Sequence, residues 1–332
     1  MIVYGDPSGG RLDIASAELE ALFEAAGEKV RASRDGTIVT CEARFLPGWL
    51  ATRAAFLNDV GVLLWKGKSD EAAEQAKGLD FQAMEGSRFK VDAEGFDADR
   101  KRAVDEDFGG RVLTTAPSSS VSLREPQVVV RVVARGGQGF VGLSGPKGKG
   151  KWVERRPRAR AFFHPSALFP KLARLMVNLT AVPSGATFLD PFSGTCSTVI
   201  EASLVGAYSL GADVDKKMVF GGRRNLRKLS LEESSQVLRS DARALPFREV
   251  DAIAGDVPYG RASSTKGATS AVLMSDLLSQ ADGCLKMGGR LVVMHQKGSP
   301  LEKPKGFELL GEYEFYVHRS LTRVISVLRR SS

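Results

Sequence analysis

The sequence predicts an α/β protein in which a Rossmann-like, doubly wound parallel sheet over residues 161–332 follows two small α+β units. Three observations carry this. Short β-branched runs alternate with helical stretches from Thr187 to Leu328, the order that builds a parallel sheet with helices on both faces. Strands and helices also alternate through residues 1–145, but in shorter and more polar pieces. Between the two parts, residues 146–160 (PKGKGKWVERRPRAR) hold seven basic residues in fifteen, with glycines and a proline that discourage regular structure.

Taken in order, residues 1–67 give Ile2–Tyr4 as a strand and a helix that starts at Asp13, carries Ala15, Leu19, Leu22, Phe23 and Ala26 on one face, and stops at Gly27. Thr37–Cys41 reads as a strand, Phe45–Leu57 as a helix and Val60–Trp65 as a buried strand. This βαββαβ order fits a ferredoxin-like unit. Residues 68–145 suggest a second small unit, with a helix opening at Ser69-Asp70-Glu71, strands at Ser87–Val91 and Val128–Val133, and a polar loop over Asp92–Asp107. Residues 146–160 then read as a basic linker. In the last part, strands are expected at Thr187–Leu189, Tyr208–Leu210, Ala252–Ala254, Arg290–Met294 and Val324–Leu328.

The chain has 332 residues, room for two or three domains, with the apolar and charged fractions of an ordinary globular protein (43% and 26%). A net charge of +8 favours an anionic partner such as nucleic acid. Three widely spaced cysteines, Cys41, Cys196 and Cys284, argue against a disulfide framework and against a zinc site, so no metal is expected. The first residues lack a signal-peptide pattern, and no apolar run approaches the ~20 residues a membrane helix needs. A cytoplasmic protein, away from membranes, is the expectation.

Four motifs carry chemistry. The first, Asp190-Pro191-Phe192-Ser193-Gly194-Thr195, follows a strand, where open α/β sheets bind ligands. It has neither the dinucleotide glycine pattern nor the Lys of a phosphate loop. A carboxylate here repels pyrophosphate but attracts the ammonium and sulfonium charges of S-adenosylmethionine. Asp213, at the end of the next strand, is placed to take ribose hydroxyls, and Asp215 to cap the following helix. Asp241-Ala242 offers a carboxylate and a backbone N–H to an adenine. The fourth motif, Asp256-Val257-Pro258-Tyr259, follows a buried strand. An exocyclic amine is a poor nucleophile because its lone pair is delocalised into the ring. The Asp256 carboxylate and the Val257 carbonyl can accept its two hydrogens, Pro258 stiffens the turn, and Tyr259 can stack on a flipped base.

Together these residues resemble the class I amino-methyltransferases, whose signature is (D/N/S)-P-P-(Y/F). Phe163-His164-Pro165, Ala173-Arg174, Asn178-Leu179 and His318-Arg319-Ser320-Leu321-Thr322-Arg323 add a resemblance to the archaeal and eukaryotic tRNA guanosine-10 N2-methyltransferases. The resemblance implies a class I methyltransferase domain over 161–332, a ferredoxin-like domain over 1–67 and an RNA-binding THUMP domain over 68–145. It implies S-adenosylmethionine as cofactor, bound by Asp190, Phe192, Gly194, Thr195, Asp213, Asp241 and Ala242, and tRNA as partner. A small zinc-binding activator subunit, which some relatives use, is a further candidate partner. Arg155, Arg156, Arg158, Arg160 and Arg261 are the expected phosphate contacts. Val257 departs from the family's first proline, so the turn loses one fixed φ. Asp256 and the following Arg261-Ala262-Ser263-Ser264 lean toward the guanosine-10 enzymes, since the guanosine-6 enzymes usually carry Asn at the first position. The competing expectations are methylation of another RNA guanine (tRNA position 6 or ribosomal RNA), DNA adenine N6-methylation, and a non-catalytic RNA-binding protein.

Overall fold

The computed structural model describes residues 1–72, 74, 78–146, 152–258, 270–298, 306–319 and 321–331. The chain forms two compact units, one of Met1–Phe23 with Glu28–Gly150, the other of Lys151–Ser332 with the short piece Glu24–Gly27.

The first unit contains β1 (Ile2–Pro7), α1 (Leu12–Ala25), β2 (Ser33–Asp35), β3 (Ile38–Glu42), α2 (Leu50–Arg53), β4 (Leu57–Lys68), β5 (Arg88–Glu94), α3 (Ala98–Thr115), β6 (Ser120–Val121), β7 (Val128–Arg135) and β8 (Gln138–Ser144). All eight strands share one sheet in the order β2-β3-β1-β4-β8-β7-β5-β6. The first four run βαββαβ, and β1 pairs antiparallel with both β3 and β4. Leu19, Leu22 and Phe23 of α1 pack there with Val3, Val39 and Leu57. A separate apolar cluster joins Phe81, Phe89, Phe108, Val130 and Val141.

Two expectations change here. The helix expected over 45–57 shrinks to the four residues of α2, because Pro47 and Gly48 interrupt it and Leu57 already belongs to β4. The loop expected over 92–107 is instead mostly α3. Its apolar stripe is only Val104, Phe108 and Val112, which is why the pattern is faint. Local interactions support it: Asp97 caps it by accepting the Arg100 N–H at 2.8 Å, and Lys101–Asp105 (3.1 Å) and Arg102–Glu106 (2.9 Å) are i,i+4 ion pairs.

The second unit contains α4 (Pro170–Leu179), β9 (Thr187–Asp190), α5 (Ser197–Leu204), β10 (Tyr208–Asp213), α6 (Lys216–Lys228), β11 (Ser235–Arg239), β12 (Val250–Asp256), α7 (Ser270–Cys284), β13 (Leu285–Gln296), β14 (Phe307–His318) and β15 (Leu321–Arg330). The sheet order is β11-β10-β9-β12-β13-β15-β14. Strands β9 to β13 run parallel, whereas β15 enters antiparallel between β13 and β14. The edge therefore departs from the all-parallel sheet expected. From β9 the chain first winds outward through β10 and β11, then crosses to β12 on the other side. The carboxyl ends of β9 and β12 thus flank the switch point, where such sheets bind ligands. Leu189, Ile253, Leu277, Leu291, Val293 and Leu328 are among the core of this unit.

The basic stretch is corrected as well. Residues 147–151 lie outside the described residues, but Trp152 to Arg160 pack into the second unit. Arg155 forms a two-point ion pair with the buried Glu201 of α5 (2.8 and 3.2 Å), which Arg174 joins at 2.7 Å. Both guanidinium groups lie over the Trp152 ring. Arg160 donates to Ser197 Oγ (2.8 Å), Thr195 Oγ1 (3.3 Å) and the Arg155 carbonyl (3.1 Å). Arg155 and Arg160 are each only 9% exposed, so their donors hold the protein together rather than facing phosphates. Arg156 and Arg158 stay exposed, Arg158 against the Phe163 ring.

Candidate active site

A cavity of about 590 Å³ opens at the switch point of the second unit. Its walls are the turn Asp190–Thr195 after β9, Asp213–Asp215 after β10, Asp241–Arg243 after β11 and Asp256–Pro258 after β12, with His164, Thr198, Met218, Leu273 and Arg323. Every cofactor residue singled out from the sequence lies on it, as do Asp256, Val257 and Pro258. Tyr259 and Arg261 lie outside the described residues.

The turn after β9 is tied down from both sides. Asp190 is buried, and its carboxylate accepts the Phe192 N–H at 2.8 Å and the Thr198 hydroxyl. Asp213 accepts the Gly194 N–H (2.9 Å) on one oxygen and the Asp215 N–H (2.8 Å) on the other. Gly194 has φ +49°, and a Cβ there would meet nothing nearer than the Phe192 carbonyl at 3.9 Å, so the backbone offers an open, side-chain-free surface to a ligand. Asp215 caps α6 through the Lys217 N–H at 2.8 Å. Asp241 is braced by Arg243, at 3.0 Å from Nε and 2.7 Å from a terminal nitrogen.

The turn after β12 is built differently. Asp256 ends the strand with one oxygen 3.3 Å from the Arg323 guanidinium, while among the described residues its Oδ1 has no hydrogen-bond partner. Val257 is 1% exposed and packs with Leu273, Met274, Val293 and Leu328, and its N–H donates to the Met294 carbonyl at 2.9 Å. The φ restraint that a proline would supply is thus replaced by a hydrogen bond to β13.

Five aspartates line the cavity, and burial shifts three of them. Burial pushes Asp190 up to about 7, its bonds from Thr198 and Phe192 opposing this and the charges of Asp213 and Asp256 adding to it. Burial likewise raises Asp213, against its two backbone hydrogen bonds. Asp256 is pushed up to about 6 by burial, with Arg323 pulling the other way.

Sequence reasoning did not single out Arg323, His164, Thr198 or Met218 as site residues. Arg323 and His164 stand only in the motifs His318–Arg323 and Phe163-His164-Pro165 that carry the family resemblance, with no site role attached. Nothing in the local pattern marks Thr198, whose part depends on the fold bringing α5 beside Asp190.

Residues 157–325 match the UPF0020 family model, described as an RMKL-like methyltransferase domain. The tRNA (guanine(10)-N2)-dimethyltransferase of Methanothermobacter thermautotrophicus is 32% identical over 324 residues, 96% of each chain. The chain belongs to this methyltransferase family. It is an S-adenosylmethionine-dependent methyltransferase with the class I fold. Another full-length member is the tRNA (guanine(10)-N2)-dimethyltransferase of Pyrococcus abyssi, 28% identical over 95% of this chain and 96% of its own. The tRNA (guanine(6)-N2)-methyltransferase of Thermus thermophilus is 31% identical over 90% of this chain and 91% of its own. Among solved structures, TrmN from Thermus thermophilus shares the fold at a TM-score of 0.52, with 24% identity and 99% of both chains covered. No helix among the described residues is long and apolar enough to cross a membrane.

Proposed function

We propose that this methyltransferase acts on N2 of a guanosine in tRNA, at position 10, giving N2-methyl- or N2,N2-dimethylguanosine. The observation that carries the reading is Asp256: a partly buried carboxylate on the cavity wall, one oxygen held by Arg323 and the other without a partner among the described residues. The guanosine-10 relatives that span nearly the whole chain support the position.

The donor set fits the cofactor. Five aspartates against two arginines, Arg243 paired with Asp241 and Arg323 with Asp256, make an anionic cavity that disfavours phosphate-bearing ligands and suits one carrying ammonium and sulfonium charges. When bound, S-adenosylmethionine supplies an electrophilic methyl on its sulfonium; as the N–C bond forms, the C–S pair returns to sulfur, leaving a neutral thioether. Asp190 and the open backbone at Gly194 hold its charged amino-acid end, Asp213 its ribose, and Asp241 with Ala242 its adenine. Asp256 and the Val257 carbonyl accept the two hydrogens of the guanine amine, which frees the nitrogen lone pair from the ring. Asp256 then meets the positive charge that develops on nitrogen and takes its proton. Tyr259, next in sequence, is the proposed stacking platform for a base that has left its helix, and Arg261 a phosphate contact.

Residues 1–67 and 68–145, as ferredoxin-like and THUMP-like domains, are the proposed tRNA-binding part, with Arg156 and Arg158 as the remaining phosphate contacts of the basic stretch. The proposed compartment is the cytoplasm. Mass spectrometry of nucleosides from unmodified tRNA, incubated with the purified chain and cofactor and then mapped by fragment, tests the reading. N2-methylated guanosine at position 10 is expected; modification at position 6, which the Thermus relative favours as a second reading, moves the target within the same chemistry. Methylated adenine in DNA, with unmodified tRNA, overturns it. Inactivity with intact cofactor binding, reversed by adding a small zinc-binding subunit, assigns that partner.

A further inference from the structure

We propose that Arg323 is a positioning residue for methyl transfer: from the antiparallel strand β15 it keeps Asp256 ionised and turned so that one carboxylate oxygen faces the substrate amine. This rests on the reaction proposed above.

The geometry is specific. Strand β13 lies between β12 and β15, with Asp256 in register with Met294, and Gln296 in register with Arg323. The Arg323 side chain therefore starts beyond the end of β12 and reaches back over Met294, its guanidinium 4.0 Å from the Met294 sulfur and 3.3 Å from Asp256 Oδ2. Both side chains are less than one-fifth exposed and both line the cavity. An arginine so placed, ahead of the buried run Val324–Leu328, is costly to desolvate unless an anion answers it. The antiparallel insertion of β15 is what makes this possible, since it carries the start of that strand to the carboxyl ends of β12 and β13.

The groups facing Asp256 oppose one another. Asp190, from the end of β9, disfavours a second negative charge. Strand β13 presents Met294 and α7 presents Leu273, neither titratable. Arg323 is the cation that the described residues pair with Asp256. Without it, Asp256 shares the cavity with Asp190, Asp213, Asp215 and Asp241, and the proton is favoured. A protonated Asp256 accepts the amine hydrogen only as a neutral, weaker acceptor and cannot take the leaving proton. Since the carboxylate is the reactive form, the rate falls as pH drops through its pKa, and raising that pKa moves the fall to higher pH.

Single-turnover rates on tRNA, with the full chain and saturating cofactor, are measured from pH 5.5 to 9 for wild type, Arg323→Gln and Arg323→Lys. The acid limb of Arg323→Gln is expected about one pH unit above wild type, which is about tenfold in rate on that limb. Arg323→Lys returns part of the way, and calorimetric affinity for S-adenosylmethionine stays within about twofold in both. An unmoved acid limb in Arg323→Gln overturns the proposal, whether its rate is uniformly lowered or unchanged. The ionisation itself is read without any substrate by carboxyl-carbon NMR titration, the Asp256 resonance being assigned with Asp256→Asn. An Asp256 midpoint equal in wild type and Arg323→Gln overturns the proposal by that route too. A wild type that leaves tRNA guanosine unmodified, yet shows the displaced NMR midpoint in Arg323→Gln, counts against the substrate and not against the pairing.

Discussion

The turns after β9 and β12 leave neighbouring strands of one sheet and face one cavity, yet they are finished in opposite ways. After β9, both oxygens of Asp190 and both oxygens of Asp213 accept hydrogen bonds from the protein, so the cradle is complete before any ligand arrives. After β12, Asp256 holds one oxygen on Arg323 and leaves the other without a partner among the described residues. A binding surface gains from being built in advance, because the ligand then orders little. A catalytic group must keep capacity for a charge that exists only in the transition state. The contrast assigns affinity to the first turn and rate to the second, and substitutions can separate the two.

The largest effect is expected at Asp256. Asp256→Ala should lower the single-turnover rate about 10²–10⁴-fold, the range of a missing general base, with cofactor affinity nearly unchanged. A rate within a few-fold of wild type would remove Asp256 from the chemistry and erase the contrast. Asp213→Ala should do the reverse. It should weaken S-adenosylmethionine binding by roughly 1–3 kcal/mol, through loss of hydrogen bonds to a charged acceptor, and leave the rate at saturating cofactor far less affected. Because Asp213 also anchors Gly194 and Asp215, its melting temperature should fall as well. Unchanged calorimetric affinity would exclude Asp213 from the cradle.

A smaller effect lies in pH. Burial, with the neighbouring carboxylates adding to it, pushes Asp190 up to about 7. A bound cation favours the carboxylate, so binding must expel the proton below that pH, and affinity should fall as pH drops, by up to about tenfold per unit. For the stability of the protein without cofactor the sign is opposite. The raised folded value stabilises at low pH, and this contribution is lost as pH rises from the unfolded value of 3.8 through about 7. The rise in melting temperature on adding cofactor should therefore be larger at pH 8 than at pH 6. An equal rise at both would show that Asp190 does not meet the charge. In Asp190→Asn the pH dependence should shrink, leaving only what Asp213 and Asp256 contribute.

Much of this contrast was legible in the sequence, because each acidic residue sits where a strand pattern stops: Asp190, Asp213 and Asp256 are all last residues of their strands. What was not legible is long-range pairing. The Arg323–Asp256 contact spans 67 residues and depends on β15 running antiparallel, which no local periodicity encodes. The basic stretch misled for a related reason. Arg155 and Arg156 are adjacent and identical in type, but Glu201 and Trp152 bury the first and leave the second exposed. Helix α3 was obscured because its apolar stripe is only Val104, Phe108 and Val112 in an otherwise charged segment, with a cap and short-range ion pairs adding to it.

The smallest expected effect tests the turn after β12 at its one departure from the family signature. Val257→Pro restores the signature proline. It removes the N–H that donates to the Met294 carbonyl at 2.9 Å, a loss of about 0.5–1.5 kcal/mol for a typical intramolecular hydrogen bond. The restriction of the unfolded chain that proline brings does not make up this loss, because the replaced N–H is hydrogen-bonded. Asp256, the residue before it, ends a β-strand, the extended conformation that a following proline requires. The net effect is a modest loss, so the melting temperature should fall by a few degrees while turnover stays within a few-fold. Two devices, a fixed φ and a backbone hydrogen bond to β13, would then be interchangeable ways of holding the Val257 carbonyl toward the amine. A clear loss of turnover with no larger fall in melting temperature would show otherwise. The bond to β13 would then set the orientation of the catalytic turn, and the second turn would be prebuilt in its backbone while open only at the Asp256 side chain.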